Sequence, residues 1–427
     1  MRSGTDEAMS RTIDRSAAGK PLRDAARAAR RAAVLEEACA EFRRVGVAAA
    51  DLAAIARAVG VSRAALYNYC AGREDLARQC YLESLGALQA LLHDAMSLPG
   101  TGLAKIAGFV REAIGHDRPI AAIAAELDLL SGDARAEVER GQDELFDRLA
   151  ALIVVGQRDG SVRPCDAAVA ARTIWGLVFW APLGELWTGR AGENLAARIG
   201  AELPPLVERG IVSNKARGRH AAEAANLLAP ILAARPDDRI EEVARAASRL
   251  FNRRGVEGVS LDDVAAEVGA TKGLFYHHFK SKTALVRHCF ERGFEIYDRL
   301  MSVAEEGADS IEQSRRALEL NVMAQLYGLH PMSLNIFFRC LPAEDQQRYS
   351  QRASALLDLS VGFAERGMAA GLNRRFDAQA VSLASAGTFL FLGRWIEGED
   401  LDRAERTAAE VADFFLYGLT AAAEPID

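Results

Sequence analysis

Residues 260–282 read SLDDVAAEVGATKGLFYHHFKSK, and this stretch decides the fold. Ser260 is a good helix N-cap, with Asp263 three residues on. Leu261, Val264, Ala265 and Val268 make one apolar stripe of a short helix. Gly269 breaks that helix with a tight turn, and Thr271 caps a second helix over 272–279. Ala265 is small where the two helices must cross. Two short helices joined by a Gly-containing turn make a helix-turn-helix.

The charges around it agree with a surface for an anionic polymer. No acid occurs from Val268 to Phe290, whereas Lys272, Lys280, Lys282 and Arg287 do, with His277, His278 and His288. The whole chain carries a formal charge of -7. A local basic face inside an acidic protein is still what phosphate binding requires.

The same pattern occurs upstream. Residues 51–73 read DLAAIARAVGVSRAALYNYCAGR, each position 209 residues before its mate. Phe42, Gly46, Leu52, Ala56, Gly60, Tyr67 and Leu76 recur as Phe251, Gly255, Leu261, Ala265, Gly269, Tyr276 and Leu285. Further on, Gly160 and Asp166 recur as Gly371 and Asp377, now 211 apart. A whole unit of roughly 200 residues is therefore duplicated, which fits a 427-residue chain of several domains. Each unit is helical in pattern throughout. Helix one, over 27–45, carries Val34, Leu35, Ala38 and Phe42 on one face. Gly46 and Gly255 follow at the left-handed position that ends a helix. Further helices are expected near 73–96, 102–115, 119–130, 133–158, 166–188 and 193–210. Their counterparts are near 282–306, 310–328, 331–339, 343–370, 377–397 and 402–422. The expected organisation is a flexible tail at 1–26, a helix-turn-helix domain at 27–76 and a helical bundle at 77–212. A linker at 213–236, with a short helix over 221–234, leads to a second helix-turn-helix domain at 237–285 and a second bundle at 286–427.

At Phe251, Gly255, Ser260, Leu261, Ala265, Gly269, Thr271, Lys272, Gly273, Tyr276, His277, His278, Phe279, Lys282 and Leu285 the chain resembles the DNA-binding domain of the TetR/AcrR family of regulators. The first copy resembles it through Val59, Gly60, Ser62, Arg63, Tyr67, Tyr69 and Leu76. The two motifs cover about a quarter of the chain. The implied fold is all-α: two fused TetR-like units, each a three-helix DNA-binding domain followed by a helical bundle for ligand binding and dimerisation.

The resemblance also implies roles. Thr271, Lys272 and Gly273 would open the recognition helix in the major groove. Tyr276, His277, Lys280 and Lys282 would contact phosphates, and Ser260 would bond one at a helix N-terminus. The matching first-copy positions are Ser62, Arg63, Ala64, Tyr67, Asn68 and Arg73. There the pattern departs: Asp51 replaces Ser260, Cys70 replaces Phe279, and Asn68 and Tyr69 replace the His pair. Two unlike motifs predict a non-palindromic double-stranded operator. In the family, protomers pair through their last two helices. One chain holding both protomers predicts either an intramolecular pseudo-dimer, 166–188 and 193–210 against 377–397 and 402–422, or a homodimer of chains. Repression is the family's usual sign. An activator with the same contacts, or a ligand-sensing module with degenerate motifs, stays open.

The downstream aromatic groups read as bundle core or as an apolar effector pocket. On the second reading Trp175, Phe179, Asn335, Phe338, Arg339, Phe391 and Arg394 would hold a small apolar or acyl-type ligand. Six cysteines, at 39, 70, 80, 165, 289 and 340, show no CxxC or zinc spacing. His277-His278 has no further ligands nearby, so no metal is expected, nor any cofactor. Gly160 and its neighbours do not make a phosphate loop, and no nucleophile–base set or paired carboxylates stand out, so an enzyme is not expected. The apolar run near 174–187 is broken by Pro182 and Glu185, short of the roughly 18–20 residues of a membrane span. With no apolar run near the N-terminus, a soluble, cytoplasmic protein is expected.

Overall fold

The computed structural model describes residues 5–47, 49–115, 127, 129–180, 194–213, 224–236, 238–256, 258–270, 278–333, 341–389, 392 and 400–421, with side chains from 24 onward, residue 43 excepted. Among them are sixteen α-helices and two isolated antiparallel bridges. The first unit comprises α1 (Thr5–Val45), α2 (Leu52–Ala58), α3 (Arg63–Leu66), α4 (Arg73–Ser97), α5 (Gly102–Gly115), α6 (Gly132–Arg158), α7 (Ala167–Trp180) and α8 (Leu195–Arg209). A connecting helix, α9 (Ala224–Ala233), precedes α10 (Arg239–Arg254), α11 (Leu261–Glu267), α12 (Lys282–Glu305), α13 (Ser310–Leu326) and α14 (Ala343–Ala369). The second unit ends with α15 (Ala378–Ser385), a 3-10 turn over Ala386–Thr388, and α16 (Leu401–Tyr417).

Each helix buries the face its sequence marks. On α1, Val34, Leu35, Ala38, Cys39 and Phe42 are buried, at helical spacing. They pack on α4, whose Leu76, Cys80, Leu88 and Leu92 point inward. One contiguous apolar core runs through both units.

Two expectations change, at the N-terminal tail and at the helix over 377–397. The flexible tail is not seen as such: α1 starts at Thr5, because the Ala- and Arg-rich run before Val34 is made of strong helix formers. Its residues 24–32 are exposed, so that stretch is a solvated extension of the helix. The short helix expected over 221–234 is present as α9, whose Ala224, Leu228 and Ile231 are buried at spacings of one turn and two, against α13, α12 and α16. The helix expected over 377–397 begins as α15 and tightens into the 3-10 turn at Gly387; after Phe389 and before Asp400 only Leu392, which is helical, is among the described residues. The helices expected over 119–130 and 331–339 fall mostly outside the described residues. Of the latter, 331–333 are irregular.

The two units meet inside the chain through α7 and α8 on one side and α15, the 3-10 turn and α16 on the other. The contacts come in pairs related by an approximate two-fold. The bridge Val162–Thr420 has its mate in Val212–Asn373. Arg163 N–H donates to the Leu419 carbonyl at 2.8 Å, and Arg374 N–H to the Ile211 carbonyl at 2.9 Å. The same arginines send their Nε–H to Gly418 and Gly210 carbonyls at 2.8 and 2.6 Å. At the centre the backbones touch. A methyl group on Gly176 would lie 2.1 Å from the Gly387 carbonyl oxygen, so only glycine fits that crossing. Beside it Trp180 is fully buried, its indole N–H donating to the Leu383 carbonyl at 2.8 Å.

Candidate nucleic-acid interface

The first helix-turn-helix is built by caps and one glycine. Asp51 caps α2, accepting from the Ala53 N–H at 2.8 Å, and this bond chiefly holds its carboxyl below the ordinary value. Gly60 carries a φ of +72°, a left-handed conformation that favours glycine, although nothing crowds the space a side chain would take. The turn closes with the Val61 N–H on the Ala56 carbonyl at 2.9 Å. Ser62 then caps α3, accepting from the Ala65 N–H at 3.1 Å. Leu66 is the inward anchor. Arg63, Ala64 and Asn68 are exposed around it. Tyr67 leaves 47% of its surface in solvent, so its ring is not a core residue. Arg73 donates to the Ala50 carbonyl at 3.0 Å, which pins the start of α4 to the loop before α2.

The second motif shares the frame. Gly269 has a φ of +60°, and the Ala270 N–H meets the Ala265 carbonyl at 2.8 Å. Ser260 and Asp263 form a reciprocal capping box. That box qualifies the phosphate role expected of Ser260: its hydroxyl donates to the Asp263 carboxylate at 2.5 Å, so a phosphate would have to compete with Asp263. Thr271, Lys272, Gly273, Tyr276 and His277 lie outside the described residues. Lys280 is exposed, and Lys282 opens α12 behind the Ser281 cap. Phe279 is buried with its ring 5.4 Å from His288, whose imidazole is pushed below its ordinary value by burial. In the first copy the smaller Cys70 fills that place, buried, its thiol raised by burial.

Sequence reasoning missed what docks the second domain. Arg292, 2% exposed on the inner face of α12, pairs with Glu241 at the start of α10. Arg235 pairs with the same carboxylate at 2.6 Å, and Arg292 also donates to the Leu329 carbonyl at 2.6 Å. Burial would raise the Glu241 carboxyl, but hydrogen bonds from Arg292 and Arg235 outweigh it and hold the group below its ordinary value. The 209-residue repeat puts Ala26, Ala32 and Glu83 at the matching first-copy positions. There the docking uses Arg31 on Gln79 at 2.8 Å and Gln79 on the Tyr69 carbonyl at 3.0 Å. A charge inside the apolar stripe of α12 was the available signal.

Of the expected effector residues, Trp175 and Phe179 are buried core. Their rings stack at 5.6 Å, with Phe146 edge-on to Trp175 at 5.8 Å. Asn335, Phe338, Arg339, Phe391 and Arg394 lie outside the described residues. A largely apolar cavity of about 90 Å³ does occur in the second unit, lined by Leu318, Asn321, Leu357, Phe363 and Phe389. Ile211 reaches it from the first unit. Among the described residues no cluster of His, Cys, Asp and Glu is placed to hold a metal, and no helix is long and apolar enough to cross a membrane.

A model of bacterial regulatory proteins of the tetR family matches twice, at residues 34–80 and 244–289. A tetracyclin repressor-like C-terminal domain matches residues 103–203. The chain is similar to the HTH-type transcriptional regulator TtgR of a Pseudomonas putida strain, 32% identical over 127 residues, covering 28% of this chain and 60% of that protein. It is equally similar to the probable HTH-type transcriptional regulator ArpR of Pseudomonas putida, with the same identity and coverage. The chain thus spans about 60% of the length of these curated relatives. Among solved structures it resembles the TetR family transcriptional regulator PfmR from Thermus thermophilus, at 24% identity and a TM-score of 0.36, over 42% of this chain and 97% of that one.

Proposed function

We propose, for a chain that belongs to the tetR family of bacterial regulatory proteins and carries that family's DNA-binding domain twice, that it is a sequence-specific transcriptional regulator whose single polypeptide supplies both readers of one operator. The observation that carries this reading is the internal interface of α7 and α8 with α15 and α16. A two-fold arrangement of two helix-turn-helix domains suits two half-sites on successive major-groove turns, roughly 34–36 Å apart. Here the arrangement forms within one chain.

The two half-sites are unlike, since the readers differ in charge and shape. Ser62, Arg63, Ala64, Tyr67, Asn68 and Arg73 would serve one half-site. Thr271, Lys272, Gly273, Tyr276, His277, Lys280 and Lys282 would serve the other, with Ser260 beside them. The protein acts as a repressor released by a small apolar effector. The second-unit cavity is the candidate pocket. Its wall includes Ile211 and Phe415, residues of the internal interface, so a ligand there touches the element that spaces the readers. A ligand that prefers one spacing shifts DNA affinity by that difference alone.

The test combines light scattering with a gel shift on the protein's own upstream DNA. One chain per operator, and a selected site without inverted symmetry, are the expected results. Two chains per operator, or a perfect palindrome, would overturn the reading. An absence of any shift would favour a sensing module without DNA binding.

A further inference from the structure

The approximate two-fold is broken at the two flanks of the internal interface. On one flank the halves are latched. Arg198 of α8 meets the Asp377 carboxylate at 2.7 and 2.9 Å and the Gln379 side chain at 3.2 Å. On the opposite flank the start of α7 and the outer face of α16 leave a cleft of about 540 Å³.

The repeat shows what changed. Arg406 and Asp166 stand where Arg198 and Asp377 stand, and Glu410 repeats Glu202. Yet Arg406 makes no ion pair among the described residues. The buried Leu195 and Leu383 of the latched flank are replaced on the open one by Arg403 and Arg172. Three guanidinium groups therefore line the cleft.

Three carboxylates line it too, but all have protein partners. Asp166 caps α7, accepting from the Ala168 and Val169 N–H groups at 2.9 and 3.0 Å. Glu410 accepts from the Asp166 N–H at 3.2 Å, and Asp413 is bonded by Arg315. The Arg172 guanidinium is less satisfied. It donates to the Ala168 carbonyl at a long 3.3 Å and lies over the Phe146 ring, while its Nε–H is buried with no partner. A buried donor without a partner carries a desolvation penalty that an acceptor from a ligand would relieve.

We propose that this cleft binds a small multiply charged oxyanion, a phosphate ester or a polycarboxylate, between Arg172 of the first unit and Arg403 and Arg406 of the second. Planar guanidinium forks suit the paired oxygens of both groups. The volume leaves room for an organic portion beyond the charged head. Bound there, the anion bridges α7 and α16 as the Arg198–Asp377 pair bridges the other flank.

The test is isothermal titration of the full chain with pyrophosphate and, separately, with citrate, at matched ionic strength. Saturable 1:1 binding of either supports the site, and the one that binds identifies the headgroup. The variant Arg172→Leu with Arg403→Leu, which copies the latched flank, should bind at least tenfold more weakly. Arg406→Gln, at an exposed position, gives an independent variant with the same expected direction, and Arg198→Gln should leave anion affinity unchanged. No saturable binding of either anion, or equal affinity in the arginine variants, would overturn the proposal.

Discussion

From Gly46 to Val61 and from Gly255 to Ala270 the two helix-turn-helix domains match bond for bond along the described backbone, and they differ in what anchors them. In each, the glycine turn has a positive φ and the same closing bond, Val61 to Ala56 and Ala270 to Ala265. Behind that frame the second domain is held by the buried Arg292, its partly buried partners Glu241 and Arg235, and the Phe279 ring. The first relies on Arg31, Gln79 and the small Cys70. Duplication has kept the hydrogen bonds that any sequence makes and has let the side chains diverge. Shape alone therefore does not tell which domain binds more tightly. The docking chemistry and the exposed residues of the reader must.

The comparison breaks most visibly at Arg292. Replacing it by Met leaves the partly buried Glu241 with one partner fewer, which should cost about 3 kcal/mol of stability. Glu83→Met, at the exposed first-copy mate, should stay within about 0.5 kcal/mol. Chemical denaturation of both variants measures this, and equal losses would mean that the domains are docked alike. Next in size is DNA affinity. Lys272→Ala combined with Tyr276→Ala should weaken operator binding by about 2–4 kcal/mol. Arg63→Ala combined with Tyr67→Ala should weaken it less, because Asp51 repels phosphate nearby. Fluorescence anisotropy on the selected operator would show the reverse order if the first domain dominates.

Gly60→Ala and Gly269→Ala sharpen the likeness instead. Both positions are open in space but left-handed in backbone, so each should cost about 1–2 kcal/mol, and by the same amount. Thermal melts that separate the two would mean that one turn has relaxed. The smallest effect at neutral pH comes from Glu241. Its carboxyl titrates lower folded than unfolded, so its stabilisation is complete above the ordinary value of 4.5 and is lost as pH falls through the folded value. Hydrogen exchange on α10 should therefore speed up in acid before that on α1, which has no buried carboxylate pair of this kind at Ala32. A first domain that opens at higher pH than the second would contradict this.

The sequence foretold much of this and missed the rest for physical reasons. α5, α12, α13 and α14 fall within a few residues of the periodic segments that mark them, since an amphipathic stripe is a local property. The cap at Ser260 and the turns at Gly60 and Gly269 were equally legible. Ala-rich α1 hides its length because it needs no apolar stripe before Val34. Gly176 and Gly387 read as ordinary helix weakeners until both backbones are in place, because the need for glycine arises from a residue 211 positions away. Arg292 is similar: a charge in an apolar stripe looks like noise until Glu241 of α10 and Arg235 of the bend before it arrive.

The crossing of Gly176 and Gly387 inside one chain also changes how the molecule responds to its own abundance. Two separate subunits must find each other, so their paired form grows with the square of their concentration when they are scarce. Tethered halves meet at a fixed effective concentration set by the joining segment. Their pairing within the chain is first order and indifferent to dilution. Each half is thereby free to drift in sequence without meeting its own duplicate as a competitor. That freedom is what lets one gene keep two helix-turn-helix units that have ceased to be alike.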